Sequence, residues 1–218
     1  SYIREILGDL INLTTINIEN QYLRALVFQL FEKNGVMKRS EINHIVKLIP
    51  ENERKKLWGM GIKIGRYHVF LPKMLKPKAV SLRIALWKLF NKKSKINEIP
   101  KSGLNFLSDR SLNKDFLLLC GFEKFKDYFV RIDILEKLFI KILDNTKDRK
   151  FKINSDMMNL LGCTKENFYK LMTYMNYKKD KTEDTYIFKG ERKKKTDKFI
   201  KFDKNENPFK KLLSLNIK

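Results

Sequence analysis

From residue 20 to residue 33 the apolar positions Leu23, Leu26, Val27, Leu30 and Phe31 recur at spacings of three and four. That is the repeat of a helix with one buried face. Gly35 follows as the residue that stops it. Ile42, Ile45, Val46 and Ile49 give a second, shorter helix with Ser40 as its expected cap. Pro50 opens a third, from Glu51 to about Trp58, which Gly59 and Gly61 end. The run from Ile62 to Leu71 is rich in β-branched and aromatic residues on both sides of Gly65-Arg66, which predicts a short hairpin. Three helices followed by a hairpin is the element order of a winged helix-turn-helix.

The order recurs further along. Val130-Arg131-Ile132 reads as a strand, and Asp133 as the cap of a helix running to about Asp144. Phe151-Lys152-Ile153 is a short strand, and Ser155 begins a brief helix to Leu161 that Gly162 closes. Thr164 caps the next helix, whose stripe of Phe168, Leu171, Met172 and Met175 fits the helical template without a gap. A charged turn then leads to Thr185-Tyr186-Ile187-Phe188 as a wing strand. Between the two sets lies a helix after Pro77, with Ala79, Leu82, Leu86, Leu89 and Phe90 as its apolar positions, and a polar link from Asn91 to Ser102. The expected fold is mainly α with short β-hairpins: two winged-helix-like units joined by a helical linker. The expected domains are 1–100 (first unit plus linker helix), 101–190 (second unit) and 191–218 (a basic, mobile tail).

Charge changes this picture from architecture towards partner. Lys and Arg total 47 against 25 acids, a formal net charge of +22. A compact fold repels itself at that excess unless an anionic partner offsets it, and nucleic acid, RNA or DNA, is the usual one. The prevalence of Lys over Arg fits an AT-rich coding bias, but that bias does not explain the excess of base over acid. No apolar run approaches the roughly 18 residues that a membrane span needs, and Ser1 to Glu5 carry no signal-peptide pattern. A cytoplasmic protein without a membrane partner is expected. Cys120 and Cys163 stand far apart with no CxxC and no nearby histidine pair, so neither a metal site nor a disulfide framework is expected.

Three stretches carry candidate contacts. Around the hairpin, Lys63, Arg66, Tyr67, His68, Lys73, Lys76, Lys78 and Arg83 mix cations with aromatic surface. Such a mix meets phosphate with one group and stacks on a base with another. On the outward face of the last helix stand Lys165, Tyr169 and Lys170, where a helix-turn-helix presents its recognition residues. Two clusters, Lys92, Lys93 and Lys95 and then Arg192, Lys193 and Lys194, suit phosphate neutralisation rather than sequence reading. There is no GxxxxGK[ST], HExxH or GxSxG pattern. No catalytic residue and no cofactor is expected in this chain.

Several segments resemble a known family. Tyr22-Leu23-Arg24-Ala25-Leu26-Val27-Phe28-Gln29-Leu30, Gly35-Val36, the run from Gly61 to Pro72, and Leu75-Lys76-Pro77 resemble the C-terminal region of large alphaproteobacterial superfamily II helicases. Those proteins are akin to the mitochondrial degradosome-type RNA helicase. Leu86-Trp87, Val130-Arg131-Ile132-Asp133, Leu160-Leu161-Gly162-Cys163 and Pro208-Phe209 follow in family order. The resemblance implies an ATP-driven motor of two RecA-like domains, in the same or a separate chain, with ATP and Mg held there. This chain would be the non-catalytic part that guides a strand. The alternatives from other classes are a stand-alone winged-helix regulator or replication initiator, and a protein-interaction scaffold.

Overall fold

The computed structural model describes residues 2–90, 99–108, 113–180 and 185–189. Helix α1 (Tyr2–Asn12) comes first and buries Leu7 and Leu10. Helix α2 (Gln21–Glu32) is capped by the Asn20 side chain, which accepts from the backbone N–H groups of Tyr22 and Leu23. Strand β1 (Val36–Lys38), helix α3 (Arg39–Leu48), helix α4 (Glu51–Gly59) and the hairpin β2 (Lys63–Ile64) and β3 (His68–Phe70) complete a first set. All pairs are antiparallel and β3 lies between β1 and β2, with Met37 opposite Val69 and Ile64 opposite Val69 on the other side.

After a 3-10 turn at Pro72–Leu75 comes a second set: helix α5 (Pro77–Phe90), β4 (Phe106–Ser108), α6 (Lys114–Leu119), β5 (Phe122–Phe125) and β6 (Tyr128–Arg131). Its last strand is again central, in the order β4-β6-β5. The third set is α7 (Ile132–Asp144), β7 (Thr146–Lys147), β8 (Lys150–Phe151), α8 (Ser155–Leu161), α9 (Lys165–Tyr174), β9 (Tyr177–Lys179) and β10 (Tyr186–Phe188). Its order is β7-β8-β10-β9. The helix expected as a linker is therefore the first element of a set with its own sheet. Among the described residues a related chain order, helix, one or two strands, one or two helices and a hairpin whose second strand sits centrally, occurs three times. In the second set one helix stands before the hairpin among the described residues, and residues 109–112 are not described.

Ser1 to Phe188 forms one unit, and Lys189 to Lys218 a second, of which only Lys189 is described. Lys92, Lys93, Lys95, Arg192, Lys193 and Lys194, and the expected mobile tail, lie outside the described residues.

Three main cores form, and two of them draw on the neighbouring second set, with Ala79 of α5 in the first and Val130 of β6 in the third. Leu23, Leu26, Leu30, Ile42, Leu57 and Val69 anchor the first, and Val130, Leu138, Phe168, Leu171 and Met172 the third. Val80, Ile84, Phe116, Leu117 and Phe129 hold the second. Each such side chain contributes about 1.5–3 kcal/mol on burial. Val36, Phe70 and Ile132 form a small cluster of their own, joining β1 and β3 of the first set to α7 of the third.

Three sequence expectations need correction. The stripe on α5 is Ala79, Val80, Arg83 and Ile84, while Leu86, Leu89 and Phe90 are exposed. Two cores, below and beside the helix, draw on adjacent rather than evenly spaced positions. Ser40 does not cap α3, which starts from Lys38 with no side-chain cap. Asp133 likewise does not cap α7: its carboxylate accepts from Arg131 Nε and Nη2 at 2.7 and 2.8 Å instead. A strand runs directly into each of these helices, so the preceding residue is fixed by its sheet partner rather than by a cap. The expected cap Thr164 is in place, accepting from the Asn167 N–H, whereas α8 is capped by Asn154 rather than started freely at Ser155.

Candidate nucleic-acid interface

The turn of the β2–β3 hairpin presents three successive backbone N–H groups to one carboxylate. Glu136, on α7, accepts from Arg66 N at 2.6 Å, from Tyr67 N at 2.8 Å and from His68 N at 3.0 Å. Arg39 Nη1 donates to Gly65 O at 2.7 Å and braces the same turn from the other side. A Cβ at Gly65 would overlap the Glu136 carboxylate, so the close approach requires glycine there. The hairpin tip is therefore clamped rather than projecting.

Behind the tip lies a buried ionic cluster drawn from all three sets. His68 is 1% exposed. Its Nε2 meets Glu123 Oε2 at 2.8 Å, and its Nδ1 faces Glu136 Oε1 at 3.8 Å, a charge contact too long for a hydrogen bond. Lys38 Nζ donates to the other oxygen of Glu123. Burial alone would lower the His68 pKa, but the Glu123 hydrogen bond and the Glu123 and Glu136 charges outweigh it, and the value rises above 6.5. Burial would raise the Glu123 carboxyl; His68 and Lys38 outweigh that and hold it below 4.5.

The signs fix a pH profile. His68 has a raised folded pKa, so its contribution is complete below about 6.5 and is lost as pH rises through the folded value. Glu123 has a lowered one, so its contribution is complete above about 4.5 and is lost as pH falls through the folded value. The cluster is strongest between these limits. Thermal melting followed from pH 5.5 to 8.5 is expected to show a midpoint that declines with rising pH, and a His68→Asn variant to show a flatter profile. An equal decline in both would remove His68 as its source.

In front of the tip is a groove between the hairpin and α7. Its larger part, about 720 Å³, runs past Trp58, Lys63, Arg66, Lys137 and Ile140. Its smaller part, about 390 Å³, is walled by Phe139, Phe151, Tyr177 and Phe188, with Arg149 beside them. Arg66, Phe139 and Leu143 belong to both. The Arg66 guanidinium carbon lies 5.7 Å from the Phe139 ring centre and 5.9 Å from that of Phe188. These are cation–π distances. Trp58 is 73% exposed at the end of α4, a helix that buries only Leu57.

Of the residues expected from sequence, the structure brings Lys63, Arg66 and Tyr67 to this groove. Tyr67 contributes mainly packing, edge-on to Phe125 and Phe139 at 6.3 and 5.9 Å, and burial pushes its phenol well above 10. His68 and Arg83 are corrected: both are interior groups. Arg83 is 2% exposed and donates to Asn34 O at 2.8 Å and Met74 O at 2.6 Å, with burial pulling its guanidinium down to about 10. Lys73 is exposed and paired with Asp9 at 3.0 Å; Lys76 and Lys78 are exposed beside the start of α5, away from the groove lining. Lys165, Tyr169 and Lys170 share a face of α9, with Lys165 over the Tyr169 ring and Lys170 paired to Glu166. Tyr169 stacks on Tyr186 at 6.2 Å. That face is not part of the groove.

Sequence reading missed Arg39, Trp58, Lys137, Phe139, Arg149 and Phe188 as groove residues. One signal was present. Ile134, Leu135, Leu138, Phe139, Ile140, Ile142 and Leu143 make α7 apolar over more than one face, and the structure leaves Ile140 and Leu143 exposed on the second.

Among the described residues there is no group of three or more metal-ligating side chains, and no helix is long and apolar enough to cross a membrane. No family model, curated protein or solved structure matches the chain.

Proposed function

We propose that this chain is a nucleic-acid-binding, non-catalytic region of a superfamily II helicase, built from winged-helix modules, which guides a strand by mainly electrostatic contacts. The thrice-repeated element order, with the hairpin's second strand central in each sheet, supports the winged-helix reading. The helicase assignment rests on the resemblance in the segments quoted above.

The observation that carries nucleic-acid binding is the charge balance at the groove. Its two carboxylates are engaged within the protein, Glu136 by the hairpin amides and Asp133 by Arg131. Lys63, Lys137 and Arg149 make no ion pair among the described residues. A net +22 chain thus keeps positive charge concentrated beside flat aromatic surface.

Fluorescence anisotropy with single-stranded RNA, single-stranded DNA and duplex of unrelated sequence, at several salt concentrations, tests this. Binding is expected to ignore sequence, and log K to fall with log salt at a slope of about −0.7 per phosphate neutralised on a single strand. No binding of any of the polymers at low salt rejects the proposal. Tight binding confined to one duplex sequence would instead favour the stand-alone regulator.

A further inference from the structure

We infer that the groove around Arg66 seats a single nucleic-acid strand with at least one unpaired base inserted into the cavity beside Phe188. This rests on the nucleic-acid reading above and adds the form of polymer the site takes. The two parts of the groove differ in chemistry. The larger is open and has Lys63 and Lys137 along it, which suits a sugar-phosphate backbone. The smaller is walled by Phe139, Phe151, Tyr177 and Phe188, which suits a flat, largely apolar group. Arg66 stands at the boundary, its guanidinium over two of those rings.

The rim of the smaller cavity shows a second sign of construction. The β7–β8 turn puts Asp148 at φ 47° and Arg149 at φ 64°. Two successive positive φ angles make the mirror-image turn of a tight hairpin. Non-glycine residues hold that conformation at a cost, and Arg149 lines the cavity. A duplex offers the groove phosphates but keeps its bases stacked and paired, so it leaves the aromatic cavity empty. A single strand fills both parts.

The test uses the full chain and labelled oligonucleotides of one length: a single strand, the same strand with abasic sites at its centre, and the blunt duplex. Polyglutamate serves as a competitor. The single strand is expected to bind most tightly, and removing the central bases to weaken it about ten-fold, the usual scale of one base–aromatic stack. Phe188→Ala is expected to lose a similar factor with the intact strand and nothing further with the abasic strand. The abasic arm leaves the protein unaltered, so the result does not depend on how the variant folds. Equal affinity for intact and abasic strands overturns the inference, as does duplex binding as tight as single-strand binding, or displacement by polyglutamate as effective as by a strand of equal charge. Each of those outcomes leaves nucleic-acid or anion binding itself intact. Failure of the underlying reading looks different: no polymer binds at low salt.

Discussion

Glu136→Ala is expected to release the β2–β3 turn from α7 and to cost about 3 kcal/mol of stability, on the scale of two charge-assisted hydrogen bonds lost. The carboxylate accepts from three consecutive backbone N–H groups, and no other acceptor replaces it for Tyr67 and His68. Arg66 is at the exposed edge and its amide turns to water, so the full sum of three bonds is not expected. For a chain of this size such a loss lowers the melting midpoint by about 6–12 °C. Glu136→Gln keeps one acceptor oxygen but turns an amide N–H₂ towards a donor, and an intermediate loss of about 1–2 kcal/mol is expected. Chemical denaturation at neutral pH ranks the three proteins. An Ala variant within about 0.5 kcal/mol of the parent would mean that the turn holds itself.

The same clamp limits how the hairpin would serve the proposed binding. A hairpin that separates strands would have to project, and this tip is tied by Glu136 and Arg39. What it offers instead is a fixed place for the Arg66 side chain, its guanidinium over two aromatic rings. Arg66→Ala removes an exposed side chain at the turn, whereas Tyr67→Ala removes a ring set edge-on against Phe125 and Phe139. The two substitutions separate binding from folding only when made one at a time.

Much of the local structure was legible in the sequence because it is carried by short-range patterns. The α2 stripe, the Pro50 start of α4, the Gly65-Arg66 turn and the Thr164 cap each lie within a few residues of their own signal. The hairpin of the second set leaves little trace in the sequence because it turns at Lys126-Asp127, with Lys126 at φ 55° and no glycine to announce it. Helix α1 is short, and its value comes from Leu7 and Leu10 meeting a core made by later residues. The candidate site was legible only in part. Lys63 and Arg66 stand out as cations beside a turn, but Lys137, Arg149 and Phe188 reach the groove from elements roughly 70 to 120 residues further on, a juxtaposition no periodicity encodes. His68 and Arg83 misled for the same reason. A cation in a basic run looks solvated until the partner sets close over it, and for His68 that partner is Glu123, on a hairpin without a glycine at its turn.

Glu123→Ala is expected to be at least as damaging, at about 3–5 kcal/mol, the range for breaking a buried ion pair from one side. Lys38 and His68 both lean on this carboxylate, and neither has an equivalent second partner: Glu136 stands 3.8 Å from His68 Nδ1, and Lys38 is on the opposite side. The loss reports uncompensated charge rather than missing contacts, and two comparisons separate these causes. In a His68→Asn background one of the stranded charges is gone, so the added cost of Glu123→Ala is expected to fall below its cost in the parent. The combined replacement Lys38→Met, His68→Phe and Glu123→Leu removes all three charges while keeping volume, and is expected to come within about 1 kcal/mol of the parent or to exceed it, as buried ion networks replaced by apolar groups often do. If the triple variant is as unstable as Glu123→Ala alone, the cluster is sustained by the shape of its hydrogen bonds. If it recovers, the ions add little net stability, and their effect is to penalise any arrangement of the three sets that separates Lys38, His68 and Glu123. The cluster would then fix which surfaces of the three sets meet, and with them the position of the Arg66 groove.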